Sequence, residues 1–75
     1  MAKMQGDDIA LKILGTNLKK YRLGAKISYR KLATLAETDT SQILRIEKGE
    51  INTSVSFLFK LAKALDIQPS QLLEE

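Results

Sequence analysis

Residues 28–49, SYRKLATLAETDTSQILRIEKG, hold two short amphipathic patterns with helical spacing, separated by only a few residues. The first opens at Ser28, a good N-cap, and places Leu32, Ala33, Leu35 and Ala36 on one inward stripe. The second opens at Asp39, which forms a capping-box pair with Gln42 three residues later and so fixes the helix phase. In that phase Ile43 and Ile46 face inward, while Thr40, Ser41, Leu44 and Arg45 point outward or sideways. Helices this short draw their stability from tertiary packing. The rest of the chain is expected to supply it.

N-terminal to this stretch, Leu11, Leu14, Leu18 and Tyr21 recur at spacings of three and four, which predicts a helix over about residues 8–23 ended by Gly24. Asp7 and Asp8 suit its cap and first turn, and residues 1–7 are expected to form a disordered tail ahead of a domain spanning 8–75. Gly15 interrupts the pattern at a cost of about 1 kcal/mol relative to Ala, which is explained if another helix approaches closely there. C-terminal to the stretch, the polar loop 50–54 leads to a helix from 55 or 56 to 65 with Leu58, Leu61, Ala62 and Leu65 inward. Phe57 and Phe59 flank that stripe on opposite sides. A last helix is expected over 70–75, with Pro69 at its start.

Seventy-five residues make one domain, and a domain this small buries only about 60% of its unfolded surface. The 44% hydrophobic content supports a folded core, and with 5% aromatics that core must be aliphatic. Four Gly and one Pro leave few breakers, so an all-α fold is expected. The chain has neither Cys nor His, which excludes disulfides, a Cys/His zinc site, a thiol nucleophile and an imidazole base. No catalytic constellation, metal site, cofactor site or small-molecule site is evident, and a non-enzymatic role is expected. No apolar run approaches the roughly 18 residues of a membrane span, and MAKMQGDD lacks the apolar core of a signal peptide, so a cytoplasmic location is expected.

Net charge is +3, but its distribution is more informative than its total. Between Lys19 and Lys48 eight basic residues face three acidic ones, a local excess of +5. Arg30 and Lys31 occupy the first turn of the helix opened by Ser28, where the helix dipole favours acidic side chains. An anion there, such as a nucleic-acid phosphate, would reverse the sign of that cost. Arg45 has the reach and planarity to donate two parallel hydrogen bonds to O6 and N7 of a guanine in a major groove. Thr40 and Ser41 are short enough to let a helix N-terminus approach base edges.

Across residues 14–73 the sequence resembles the Cro/repressor-type (XRE-like) helix-turn-helix proteins of bacteria and phages. The matching residues are Leu14-Gly15, Leu18 and Arg22, then Ser28 with Leu32-Ala33, Ile43 with Ile46-Glu47 and Gly49, and finally Leu58, Leu61-Ala62 and Ala64-Leu65. The resemblance implies a compact five-helix, lambda-repressor-like domain that binds double-stranded DNA. It implies an ion pair between Arg22 and Glu47. It carries base-contacting roles to Thr40, Ser41 and Arg45, with Leu44 beside a thymine methyl. Phosphate-contacting roles fall near Ser28, Tyr29 and Lys48 and on the loop after Gly49, where Asn52 and Thr53 lie. The family most often has glycine where this chain has Glu37, so the turn between the two short helices either holds Glu37 in a left-handed conformation or differs.

One recognition helix reads only about four base pairs, so a homodimer on a roughly palindromic operator is expected, with two half-sites about 34 Å apart. Phe59, Ile67, Leu72 and Leu73 are the expected interface. A transcriptional regulator, repressing or activating by occupancy, is therefore the principal functional expectation. An antitoxin-type module whose main partner is a toxin is the alternative.

Overall fold

A computed structural model describes residues 6–75, with side chains described from Asp8 onward. Four α-helices follow in order, α1 (Gly6–Gly24), α2 (Tyr29–Leu35), α3 (Thr40–Glu47) and α4 (Val55–Ala64), and a 3-10 helix (Pro69–Leu73) closes the chain. The described part contains no strand. Most of the expected N-terminal tail lies outside the described residues, and α1 is already helical at Gly6, two residues before the expected start. Asp7 thus lies within the helix rather than at its cap.

Where a fifth α-helix was expected there is one short 3-10 helix. Pro69 provides no N–H at its start. At its end the Asn17 side-chain amide donates to the carbonyls of Leu72 (3.0 Å) and Glu74 (2.7 Å). Asn17 is itself buried, so these bonds satisfy a polar group set among the core leucines of α1.

The core is aliphatic throughout. Leu14 and Leu18 of α1 meet Leu32, Ala33 and Ala36 around α2, Ile43 and Ile46 of α3, Leu58, Leu61 and Ala62 of α4, and Leu65 and Leu72. Each fully buried Leu or Ile contributes about 1.5–3 kcal/mol of transfer free energy. The expected inward stripe of α2 is corrected at Leu35, which is 46% exposed. Leu35 occupies the last position of a seven-residue helix and borders a surface groove with Lys60, Lys63 and Ala64, which cover it only in part.

Two features fix how α1 and α3 meet. A Cβ added to Gly15 would lie 2.7 Å from the carbonyl oxygen of Glu47 and closer still to that of Ile46, so only glycine permits this approach. The second is the Arg22–Glu47 pair described below.

The four α-helices share one way of ending. Backbone bonds run Ile27 N to Arg22 O with Lys26 N to Leu23 O, Thr38 N to Ala33 O with Glu37 N to Thr34 O, Glu50 N to Arg45 O with Gly49 N to Ile46 O, and Ile67 N to Ala62 O with Asp66 N to Lys63 O. Each pair is a Schellman closure, which needs a left-handed residue just past the helix. Those residues are Lys26 (φ 59), Glu37 (φ 60), Gly49 (φ 72) and Asp66 (φ 57). Only one of the four is glycine. Gly24, expected to end α1, is its last residue but not the left-handed one.

Candidate nucleic-acid interface

The capping side chains of α2 and α3 act as expected at short range. Ser28 Oγ accepts from the Lys31 N–H at 3.0 Å, and the Asp39 carboxylate accepts from the Gln42 N–H at 2.8 Å. The capping box at Asp39 is only half formed. Among the described residues no bond returns from the Gln42 side chain, and the Ser41 hydroxyl instead donates to the same carboxylate at 2.8 Å. The Ser41 hydroxyl, then the Gln42 N–H, hold the Asp39 carboxyl below the usual carboxylate range. With its proton committed to Asp39, Ser41 presents its oxygen outward as an acceptor.

Along α3, Ser41, Arg45 and Lys48 are exposed and recur at i, i+4 and i+7, so they form one outward stripe. Thr40 and Leu44 are half-buried on its edge. Arg30 and Lys31 are exposed on the first turn of α2, which carries no acidic residue. Ser28, Tyr29 and Arg30 line an open concavity together with Thr40, which brings the start of α2 beside the start of α3. Asn52 and Thr53 lie elsewhere, in a groove with Leu11, Val55, Leu58 and Leu73.

Behind this surface, Arg22 Nε donates to Glu47 Oε2 at 2.7 Å and its Nη1 donates to the Ile27 carbonyl at 3.0 Å. The two side chains are 6% and 3% exposed, so this is a buried bridge from α1 to the last residue of α3. The hydrogen bond that Arg22 donates to Glu47 raises the Arg22 pKa above its ordinary value, against the effect of burial. The Arg22 guanidinium also lies 4.0 Å from the ring centre of Tyr29, a cation–π contact.

The expected interface residues separate. Leu72 is fully buried in the chain's own core and is withdrawn as an interface residue. With three residues per turn, Leu72 follows Pro69 on the inner face of the 3-10 helix, and Leu73 is rotated about 120° away from it. Leu73 is 53% and Phe59 56% exposed, whereas Ile67 is half-buried against the core. Val55, one turn before Phe59 on α4, is 71% exposed and was not anticipated. Its β-branched side chain at a helix start carried no signal of exposure. The stacking of Tyr29 on Arg22 and the anchoring role of Asn17 were also missed. For Asn17 the signal was present, as a lone amide set between Leu14 and Leu18.

A helix-turn-helix family model matches residues 18–72. The chain belongs to the XRE-type helix-turn-helix family. Among solved structures, this helix-turn-helix protein is similar to the restriction-modification controller protein C.AhdI from Aeromonas hydrophila, with a TM-score of 0.85 and 34% identity over 91% of this chain and 99% of that one. It shares its fold with the hypothetical transcription factor NHTF from Neisseria, with a TM-score of 0.85 and 24% identity over 99% of this chain and 85% of that one. The same holds for the clp gene regulator ClgR from Corynebacterium glutamicum, with a TM-score of 0.81 and 22% identity over 85% and 83% of the two chains. No curated protein matches the sequence. Among the described residues no helix is long and apolar enough to cross a membrane, and no cluster of acidic side chains is arranged to hold a metal ion.

Proposed function

We propose that this helix-turn-helix protein is a sequence-specific DNA-binding transcriptional regulator of the cytoplasm that acts as a homodimer on a roughly palindromic operator. The observation that carries this reading is the outward stripe of α3, Ser41, Arg45 and Lys48, set beside the basic first turn of α2. Arg45 donates to a guanine, a contact that discriminates by about 1–3 kcal/mol. Ser41 accepts from a base amino group, Thr40 touches the groove edge and Leu44 meets a thymine methyl. Ser28, Tyr29, Arg30 and Lys31 hold one phosphate strand, and Lys48, Asn52 and Thr53 contact others.

A second copy supplies the second half-site through Val55, Phe59 and Leu73, with Ile67 at the margin. Exposed apolar side chains of this size on a small domain favour such a contact. The likeness to a restriction-modification controller protein across nearly the full length of both chains supports a compact regulator of that kind.

Selection of bound sites from random duplexes tests this reading. A dimer gives a two-fold site with half-sites about one helical turn apart, and affinity falls steeply with salt. Binding with no sequence preference would contradict it. For Phe59→Lys, sedimentation should show a monomer; an unchanged dimer would place the interface elsewhere.

A further inference from the structure

We infer that Tyr29 is a positioning residue for the recognition helix, its ring capping the guanidinium that ties the end of α3 to α1. The inference deepens the DNA-reading proposal and rests on it. Its ground is geometric. Arg22 is held in one plane by Glu47 (2.7 Å) and by the Ile27 carbonyl (3.0 Å), and the Tyr29 ring stands 4.0 Å from it. Tyr29 is the first residue of α2 and is half-buried, so its ring both packs inward on the clamp and borders the concavity shared with Ser28, Arg30 and Thr40.

One side chain thus joins the proposed phosphate-facing rim to the bridge that sets the angle of α3. Without the ring, water reaches the guanidinium and competes for it, and a buried pair becomes a surface pair of much smaller worth. Glu47 is then less firmly held, and the end of α3 with it. The consequence is loss of sequence discrimination, not only of general affinity, because base contacts depend on the orientation of the helix whereas phosphate contacts tolerate small shifts.

The test compares Tyr29→Phe, which keeps the ring face, with Tyr29→Leu, which removes it, and uses Tyr29→Gln if the leucine variant does not fold. The ratio of affinity for the selected site to that for random duplex should fall at least about five-fold in Tyr29→Leu and stay within about two-fold in Tyr29→Phe. Amide hydrogen exchange at Ile46, Glu47 and Lys48, relative to Leu61 in α4, should accelerate about ten-fold in Tyr29→Leu and stay unchanged in Tyr29→Phe. Two outcomes overturn the inference. If both variants weaken all duplexes equally and α3 exchange is unchanged, the tyrosine acts only through its hydroxyl. If exchange rises equally in α3 and α4, the ring only stabilises the fold. Should the wild-type protein select no site, the DNA-reading proposal fails, and exchange in α3 still decides the role of Tyr29.

Discussion

The two ends of α3 are built differently. Its first turn is held by bonds at the surface, in which Asp39 accepts from Gln42 and Ser41 and none of the three side chains is buried. Its last turn is held by a buried ion pair and by backbone contact at Gly15 that excludes even a methyl group. The rigid end fixes the direction in which the helix leaves the domain. The lightly held end is the one that meets the groove in the proposed complex, and Ser41 and Thr40 can adjust there without disturbing the core.

Breaking the rigid end should have the largest effect. Gly15→Val forces a branched side chain into the carbonyls of Ile46 and Glu47, and urea unfolding should show a loss of about 3 kcal/mol or no cooperative fold at all. Glu47→Ala strands the buried Arg22 charge and should cost about 3 kcal/mol by the same measurement. A loss below about 0.5 kcal/mol would show that the pair behaves as an exposed one.

The helix closures sharpen the comparison at an intermediate scale. Lys26 and Gly49 have left-handed backbones in equivalent closures, but only Gly49 does so without Cβ strain. Lys26→Gly should raise stability by about 0.5–1 kcal/mol and Gly49→Ala should lower it by about 1 kcal/mol, both read from thermal unfolding.

The smallest effect belongs to the lightly held end. Asp39 has a folded pKa below the ordinary value of 3.8, so its contribution is complete above that value and is lost as pH falls through the folded one. Asp39→Asn should therefore be slightly less stable than the wild type at neutral pH. The gap should close as the pH falls through the lowered folded pKa of Asp39. A gap that persists in acid would mean that the charge of Asp39 contributes nothing.

These contrasts also show what the sequence could and could not disclose. The interior faces of α1, α3 and α4 were legible because three- and four-residue spacing of Leu and Ile leaves one orientation that buries them. The close contact at Gly15 was legible because a glycine inside a strong helical pattern needs a packing reason. Helical spacing showed only that Phe57 and Phe59 cannot share one stripe; that Phe59 is the exposed one rested on the family resemblance, in which its position is commonly polar.

Short elements were harder. In α2, seven residues long, burial of Leu35 depends on what covers its last turn, and periodicity does not report that. The final segment gives no pattern long enough to separate a 3-10 helix from an α-helix, so buried Leu72 could not be told from exposed Leu73. The left-handed closure at Lys26 left no mark, and at Asp66 the only signal was the weak tolerance of Asp for positive φ. At Glu37 the question arose only from a missing glycine, and φ of 60 answers it. For the proposed interface, the outward direction of Arg45 followed from helix phase, but the sharing of Ser41's proton with Asp39 depends on a rotamer.

Site selection from random duplexes, run in parallel for the wild-type protein and Arg45→Ala, tests the DNA-reading assignment most directly. The predicted result is a two-fold site for the wild type and, for the variant, the same site with preference relaxed by about 1–3 kcal/mol at one guanine in each half. An equal loss of affinity for every sequence would contradict it and make Arg45 a phosphate contact.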